Sequence, residues 1–183
     1  DISVISQLPD IMRVDRSSQA RAVVKGIHYH IESDILVALR ALDRHGTMEA
    51  YASAKARILA FQSKEDVAVL GRDDKGAWTL RNRVRGKLYT FSLDELEEGL
   101  NGTYLQDGLL NLRDGNAYLP LLLREKIHLR GDHNVLNTLA AFAIGHAAGF
   151  ALDAMLEAVE EFRGVPHRLE FVRELRGARW YND

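Results

Sequence analysis

Two asparagines three residues apart, Asn134 and Asn137, head an alanine-rich apolar stretch in "GDHNVLNTLAAFAIGHAAG", residues 131–149. In a helix that spacing puts both amides on one face. It also sets them beside the backbone N–H groups that a first turn leaves without intrahelical partners. A primary amide carries both donors and an acceptor, which is what reading a nucleotide base requires. Asp132 is expected as the N-cap, with His133 and Asn134 in the first turn. Asn and Asp also favour helix starts for local reasons, so the spacing alone leaves a nucleotide site and an ordinary capped packing helix both open. Further groups that could do chemistry are Lys55, the adjacent His167 and Arg168, and Asp183 after "WYN". By residue type alone Lys55 is a solvated helix lysine, Arg168 a surface ion-pair partner and His167 a structural residue. His28, His30 and His146 lack the partners or spacing of a zinc site, and His45 is not read as a ligand.

These residues need elements to hold them. "ISVI" and "RAVVKGIHYHI" each have the β-branched and aromatic content of a strand. "DILVALRAL" (34–42) and "TMEAYASAKARILAFQ" (47–62) repeat apolar residues at helical spacing, and "DVAVL" (66–70) has the pattern of a buried strand. Between residues 77 and 123, "AWTLRN", "KLYTFSL", "GTYLQDG", "LLNLRDG" and "AYLPLLL" are short β-type segments separated by turn residues, which predicts a small antiparallel sheet. Helices are expected over 133–148 and 151–163, stopped by Gly149, Gly164 and Pro166. "HRLEFVREL" and "ARWYN" are expected as two closing strands around Gly177. Helix followed by buried strand is the grammar of an α/β fold.

Composition narrows the function classes. The 183 residues are enough for one core, and 24 basic against 26 acidic residues give a net charge of −2 without long runs of one sign. That excludes the electrostatic footprint of a nucleic-acid or membrane binder. Cysteine is absent, so there is neither a disulfide framework nor a thiol nucleophile. No apolar run is long enough to span a bilayer and the first residues do not look like a signal peptide, so a soluble, cytoplasmic protein is expected.

The separated strings resemble, in the same order, those of the Mur ligase family. They are Gly131-Asp132-His133-Asn134 with Asn137, then "FRGVPHRLE" (162–170), then Trp180-Tyr181-Asn182-Asp183. A fourth string, "LDRHGTMEAYASAKARI" (42–58), is similar to the stretch in which these ligases carry a carbamylated lysine, here Lys55. The resemblance implies an α/β fold of the Mur-ligase central-domain type, with a mainly parallel sheet flanked by helices and a small antiparallel sheet. Residues 42–183 would form the rear part of that ATP-binding domain, and residues 1–41 are left unassigned.

The activity implied is ATP-dependent, ADP-forming amide ligation in peptidoglycan precursor synthesis, with D-glutamate added to UDP-N-acetylmuramoyl-L-alanine through an acyl phosphate. ATP and Mg²⁺ are the implied cofactors. Asn134 and Asn137 would contact the adenine side of ATP, Arg168 its phosphates and Asp183 its ribose. Lys55, as a carbamate, would support magnesium, a hard cation that prefers oxygen ligands, and His167 is the other catalytic candidate. Carbamylation needs a neutral amine, which implies partial burial of Lys55.

The pattern also departs from the family. No glycine-rich phosphate loop ending in Gly-Lys-Ser/Thr is found, and Arg40-Ala41 stands where the family has Asp-His. The phosphate loop and the C-terminal amino-acid-binding domain are therefore expected to be absent, and this chain alone is expected to be inactive. The alternative expectation is a non-catalytic nucleotide-binding or interaction module derived from such a ligase.

Overall fold

The computed structural model describes residues 2–5, residues 53, 56, 57, 59 and 60, residues 61–164 and residues 170–182. Strand β1 (Ile2–Ile5) is the expected "ISVI" segment. Residues 53, 56, 57, 59 and 60 are helical, within the span expected for a helix over 47–62. The predicted buried strand is β2 (Val67–Gly71).

The first departure follows directly. "AWTLRN" was expected as a strand, yet α1 (Lys75–Thr79) and a 3-10 turn over Leu80–Arg83 occupy it. The cause is Asp74, whose Oδ1 accepts from the N–H groups of Gly76 and Ala77 at 2.7 and 3.0 Å. A capping carboxylate satisfies donors that only a helix start leaves open, and this outweighs the β-type side chains behind it.

Strands β3 (Lys87–Ser92), β4 (Gly102–Gln106), β5 (Leu109–Asp114) and β6 (Ala117–Leu123) follow. All six strands form one sheet in sequence order. β2, β3 and β4 are parallel, while β1 on one side and β5 and β6 on the other are antiparallel to their neighbours. The parallel and antiparallel sheets expected separately are thus a single mixed sheet, because the β4–β5 and β5–β6 hairpins extend the parallel edge instead of leaving it. Gly102 makes the junction: at φ +141° a Cβ there would lie 1.8 Å from the Thr90 carbonyl oxygen. Only glycine lets β4 approach β3 so closely.

Helices α2 (Asp132–Ala147) and α3 (Leu152–Glu161) match the two predicted ones to within a residue or two at each end. α2 ends in a Schellman motif: the Gly149 N–H reaches the His146 carbonyl and the Phe150 N–H the Gly145 carbonyl, both at 2.9 Å. Val135, Leu139, Phe142 and Ala143 of α2 pack on Val69, Tyr89, Phe91, Leu110 and Leu122 of the sheet. Full burial of side chains such as Leu139 and Phe142 stabilises by about 1.5–3 kcal/mol each. Ala56 and Leu59 pack with Ala68 and Leu80 in a second cluster. Because neighbouring strand residues point to opposite faces, Ala68 and Leu88 face this layer while Val69 and Tyr89 face α2. The molecule is therefore helix, sheet, helix in section. β7 (Glu170–Leu175) and β8 (Ala178–Asn182) pair as a separate antiparallel hairpin.

Candidate functional site

The N-terminus of α2 lies beyond the carboxyl end of β4. A 3-10 turn over Arg124–Lys126 links β6 to it. The Arg124 N–H donates to the Gly108 carbonyl at 2.8 Å, in the β4–β5 turn, and the Arg124 guanidinium donates to Asp132 Oδ1 at 2.5 Å. Asp132 is consequently not the N-cap that the sequence suggests. Gly131 takes that position with φ 90°, and Asp132 is the first helical residue, its carboxylate drawn out to Arg124. A negative charge in the first turn still complements the helix dipole.

The two asparagines do different things. Asn134 is buried, and its Nδ2 donates to the Arg130 carbonyl at 2.7 Å and faces His133 Nε2 at 3.0 Å. The His133 ring lies over Gly131, where a Cβ would come within 2.6 Å of it. Asn134 thereby ties residues 130–133 into one shape from inside the helix. Asn137, one turn along the same face, is only half-buried. Its amide exchanges no hydrogen bond with the described residues, so its donors and acceptor are available to a ligand.

At the same carboxyl end of the parallel strands, a charged cluster holds the β3–β4 crossover. Asp73 accepts from Ser92 Oγ at 2.6 Å and from the Leu93 N–H at 2.8 Å. Arg72 forms a two-point ion pair with Glu97, its Nε donating at 3.2 Å, and this hydrogen bonding holds the Glu97 carboxyl below the usual range. Arg113, buried on β5, donates to the Leu96 and Glu97 carbonyls at 2.7 and 3.0 Å. Sequence reading missed Asp73 and Arg113. Two acidic residues straight after a buried strand in "VAVLGRDD" were the available signal for Asp73, since ligands in α/β sheets gather at that end of the strands. No local signal marks Arg113.

The opposite end of the sheet carries a second polar network. Lys87 Nζ donates to Tyr89 Oη at 2.7 Å and to Asp114 Oδ1 at 2.9 Å, while His146 Nε2 lies 3.0 Å from Asp114 Oδ2. His146, near the end of α2, thus has a carboxylate partner that sequence spacing did not disclose. The hydrogen bonds from His146 and then Lys87 hold the Asp114 carboxyl well below the usual carboxylate range.

Lys55, His167, Arg168 and Asp183 lie outside the described residues. Among the described residues no group of three or more His, Cys, Asp or Glu side chains is placed to hold a metal ion. No described helix is long and apolar enough to cross a membrane.

Helices on both faces of a sheet with a parallel centre define an α/β domain. Comparison with known proteins narrows the class. The Mur ligase middle domain matches residues 15–145. A UDP-N-acetylmuramoylalanine--D-glutamate ligase of Caldanaerobacter subterraneus is 39% identical over 142 residues, covering 78% of this chain and 30% of that protein. The ligase of the same name from a Thermoanaerobacter species is 34% identical over 175 residues, covering 95% and 38%. Among solved structures, a crystal structure of MurF from Acinetobacter baumannii superposes with a TM-score of 0.52 at 21% identity, over 74% of this chain and 29% of that one. The chain belongs to the Mur ligase family. It spans about a third of the length of the curated relatives it matches.

Proposed function

We propose that this chain is the ATP-binding middle portion of an ADP-forming ligase that joins D-glutamate to UDP-N-acetylmuramoyl-L-alanine in peptidoglycan synthesis. What carries the reading is the identity of 34–39% to ligases bearing that name, over 142 to 175 residues. The available amide of Asn137 beyond the carboxyl end of β4 supports it, since this is where a nucleotide meets an α/β sheet.

In such a reaction ATP supplies the phosphoryl group that converts a substrate carboxylate to an acyl phosphate, which the amine of D-glutamate then displaces. The chain's own residues divide the work of holding it. Asn137 offers donor and acceptor to the purine edge. Asn134 acts behind it, as a positioning residue: with its Nδ2 committed to Arg130 and His133, it keeps the helix start in one conformation. Arg168 is assigned to the phosphates and Asp183 to the ribose. His167 beside them is the second catalytic candidate, and Lys55, as a carbamate, is assigned to magnesium. The described residues contain no acidic or histidine cluster for that cation, so its place in the reading rests on Lys55 alone.

Titration calorimetry of the chain with ATP and magnesium tests the nucleotide site. Saturable micromolar binding is expected, and absence of binding overturns the site. In the complete ligase of which this domain is the middle part, ADP release is expected to require both UDP-N-acetylmuramoyl-L-alanine and D-glutamate. ATP binding without that dependence would make the protein a nucleotide-binding module instead.

A further inference from the structure

On the face of the sheet opposite α2 there is an open cleft of about 470 Å³ between the helical residues 53, 56, 57, 59 and 60 and the turn 82–85. Arg57, Arg83 and Arg85 line it, with Ser53 and Asn82 beside them and Leu59 at its apolar floor. Among the described residues no acidic side chain contributes to the lining. All three arginines are exposed, and among the described residues none of the three guanidinium groups makes an ion pair or hydrogen bond. Arg81, between them in sequence, is by contrast engaged: it donates to the Trp78 carbonyl at 3.0 Å and lies over the Trp78 ring. Arg85 is held in place through its backbone, whose N–H donates to the buried Gln62 side chain at 3.0 Å. The cleft is remote from Asn134 and Asn137. The turn 82–85 leads into the amino end of β3, whereas the α2 N-terminus stands beyond the carboxyl end of β4 and on the other face.

We propose that this cleft is a second ligand site, taking a small molecule that bears two or more phosphate groups. Guanidinium groups bind phosphate through paired N–H donors, and several of them converging without a carboxylate favour a multiply charged anion over a single one. The volume is within the range of small-molecule sites, roughly 300–1,000 Å³, and so exceeds what a lone phosphate fills. An apolar floor under a cationic wall suits a phosphorylated metabolite with a carbon skeleton, whose charged groups meet the arginines. Because the cleft uses none of the residues assigned to ATP, it stands or falls separately from the ligase reading.

The probe is inorganic pyrophosphate without magnesium, titrated calorimetrically into the whole chain at low salt, with inorganic phosphate as the comparison. Pyrophosphate is expected to bind at one site at least about tenfold more tightly than phosphate, and more weakly as salt is raised. The double variant Arg83→Gln/Arg85→Gln is expected to weaken pyrophosphate binding at least about tenfold, whereas Arg168→Gln, at the residue assigned to the phosphates of ATP, leaves it unchanged. Since all three side chains are exposed, the variants are expected to melt close to the parent temperature. Arg57→Lys keeps the charge and is expected to weaken binding severalfold, because an ammonium cannot form the paired contact. No saturable binding, equal affinity for phosphate and pyrophosphate, or unchanged binding in the double variant would overturn the proposal. Loss of pyrophosphate binding in Arg168→Gln would overturn it too, by moving the site to the one assigned to the phosphates of ATP.

Discussion

Replacing Asn134 and Asn137 by alanine one at a time separates the residue that shapes the helix start from the one proposed to meet the nucleotide. In Asn134→Ala the bond to the Arg130 carbonyl and the contact with His133 Nε2 both disappear from a buried position. At about 1 kcal/mol for each net hydrogen bond, the fold loses about 2 kcal/mol. For a chain of this size that lowers the melting temperature by about 4–8 °C. Asn137→Ala removes a half-buried amide that exchanges no hydrogen bond with the described residues, so stability is expected to change by less than about 0.5 kcal/mol. Its effect is expected on ATP: losing the proposed base contact, at about 1.4 kcal/mol, would weaken binding about tenfold. Thermal denaturation with and without nucleotide reads both quantities at once. ATP at a hundred times its dissociation constant stabilises the parent by about 2.7 kcal/mol, and at the same concentration a tenfold weaker variant gains only about 1.4 kcal/mol. If Asn137→Ala shows the parent's full ATP-induced shift, or if Asn134→Ala melts with the parent, this division of roles is refuted.

Other perturbations address the frame. Arg113→Met removes a buried guanidinium that holds two carbonyls of the β3–β4 crossover, and is expected to cost about 3 kcal/mol in urea unfolding. Arg72→Ala, which breaks a more exposed ion pair to the same crossover, is expected to cost under about 1 kcal/mol. Similar losses for the two would contradict the burial argument. Gly102→Ala would drive a Cβ into the Thr90 carbonyl and is expected to prevent cooperative folding, seen as loss of a sharp melting transition. For Asp114 the folded carboxyl is held below its ordinary value, so its stabilisation is fully present above about pH 4 and is lost as pH falls towards the folded value. Stability of the parent should therefore fall more steeply below about pH 4 than that of Asp114→Asn, and parallel acid curves would rule out this contribution.

Local chemistry made much of the molecule legible. Alanine-rich periodicity closed by Gly149 defines α2 within residues 131–149, because both the helix and its Schellman stop depend on neighbours a few positions away. The hairpin around Gly115 is equally local, and the separated motifs reveal the family without any coordinates. What remained hidden depends on contacts between distant positions. Asp74 turns an apparent strand into a helix, though that signal was at least adjacent and needed only to be weighed correctly. Arg113 reaching Leu96, and His146 meeting Asp114 across 32 positions, are set by how the sheet stacks on α2. The two asparagines are alike in the sequence. Only packing decides that Asn134 is turned into the protein and Asn137 is left available, since a helix fixes which residues share a face but not which of them its neighbours cover. The arginine cleft has the same origin: residues 57, 83 and 85 come together only because two elements dock on one side of the sheet.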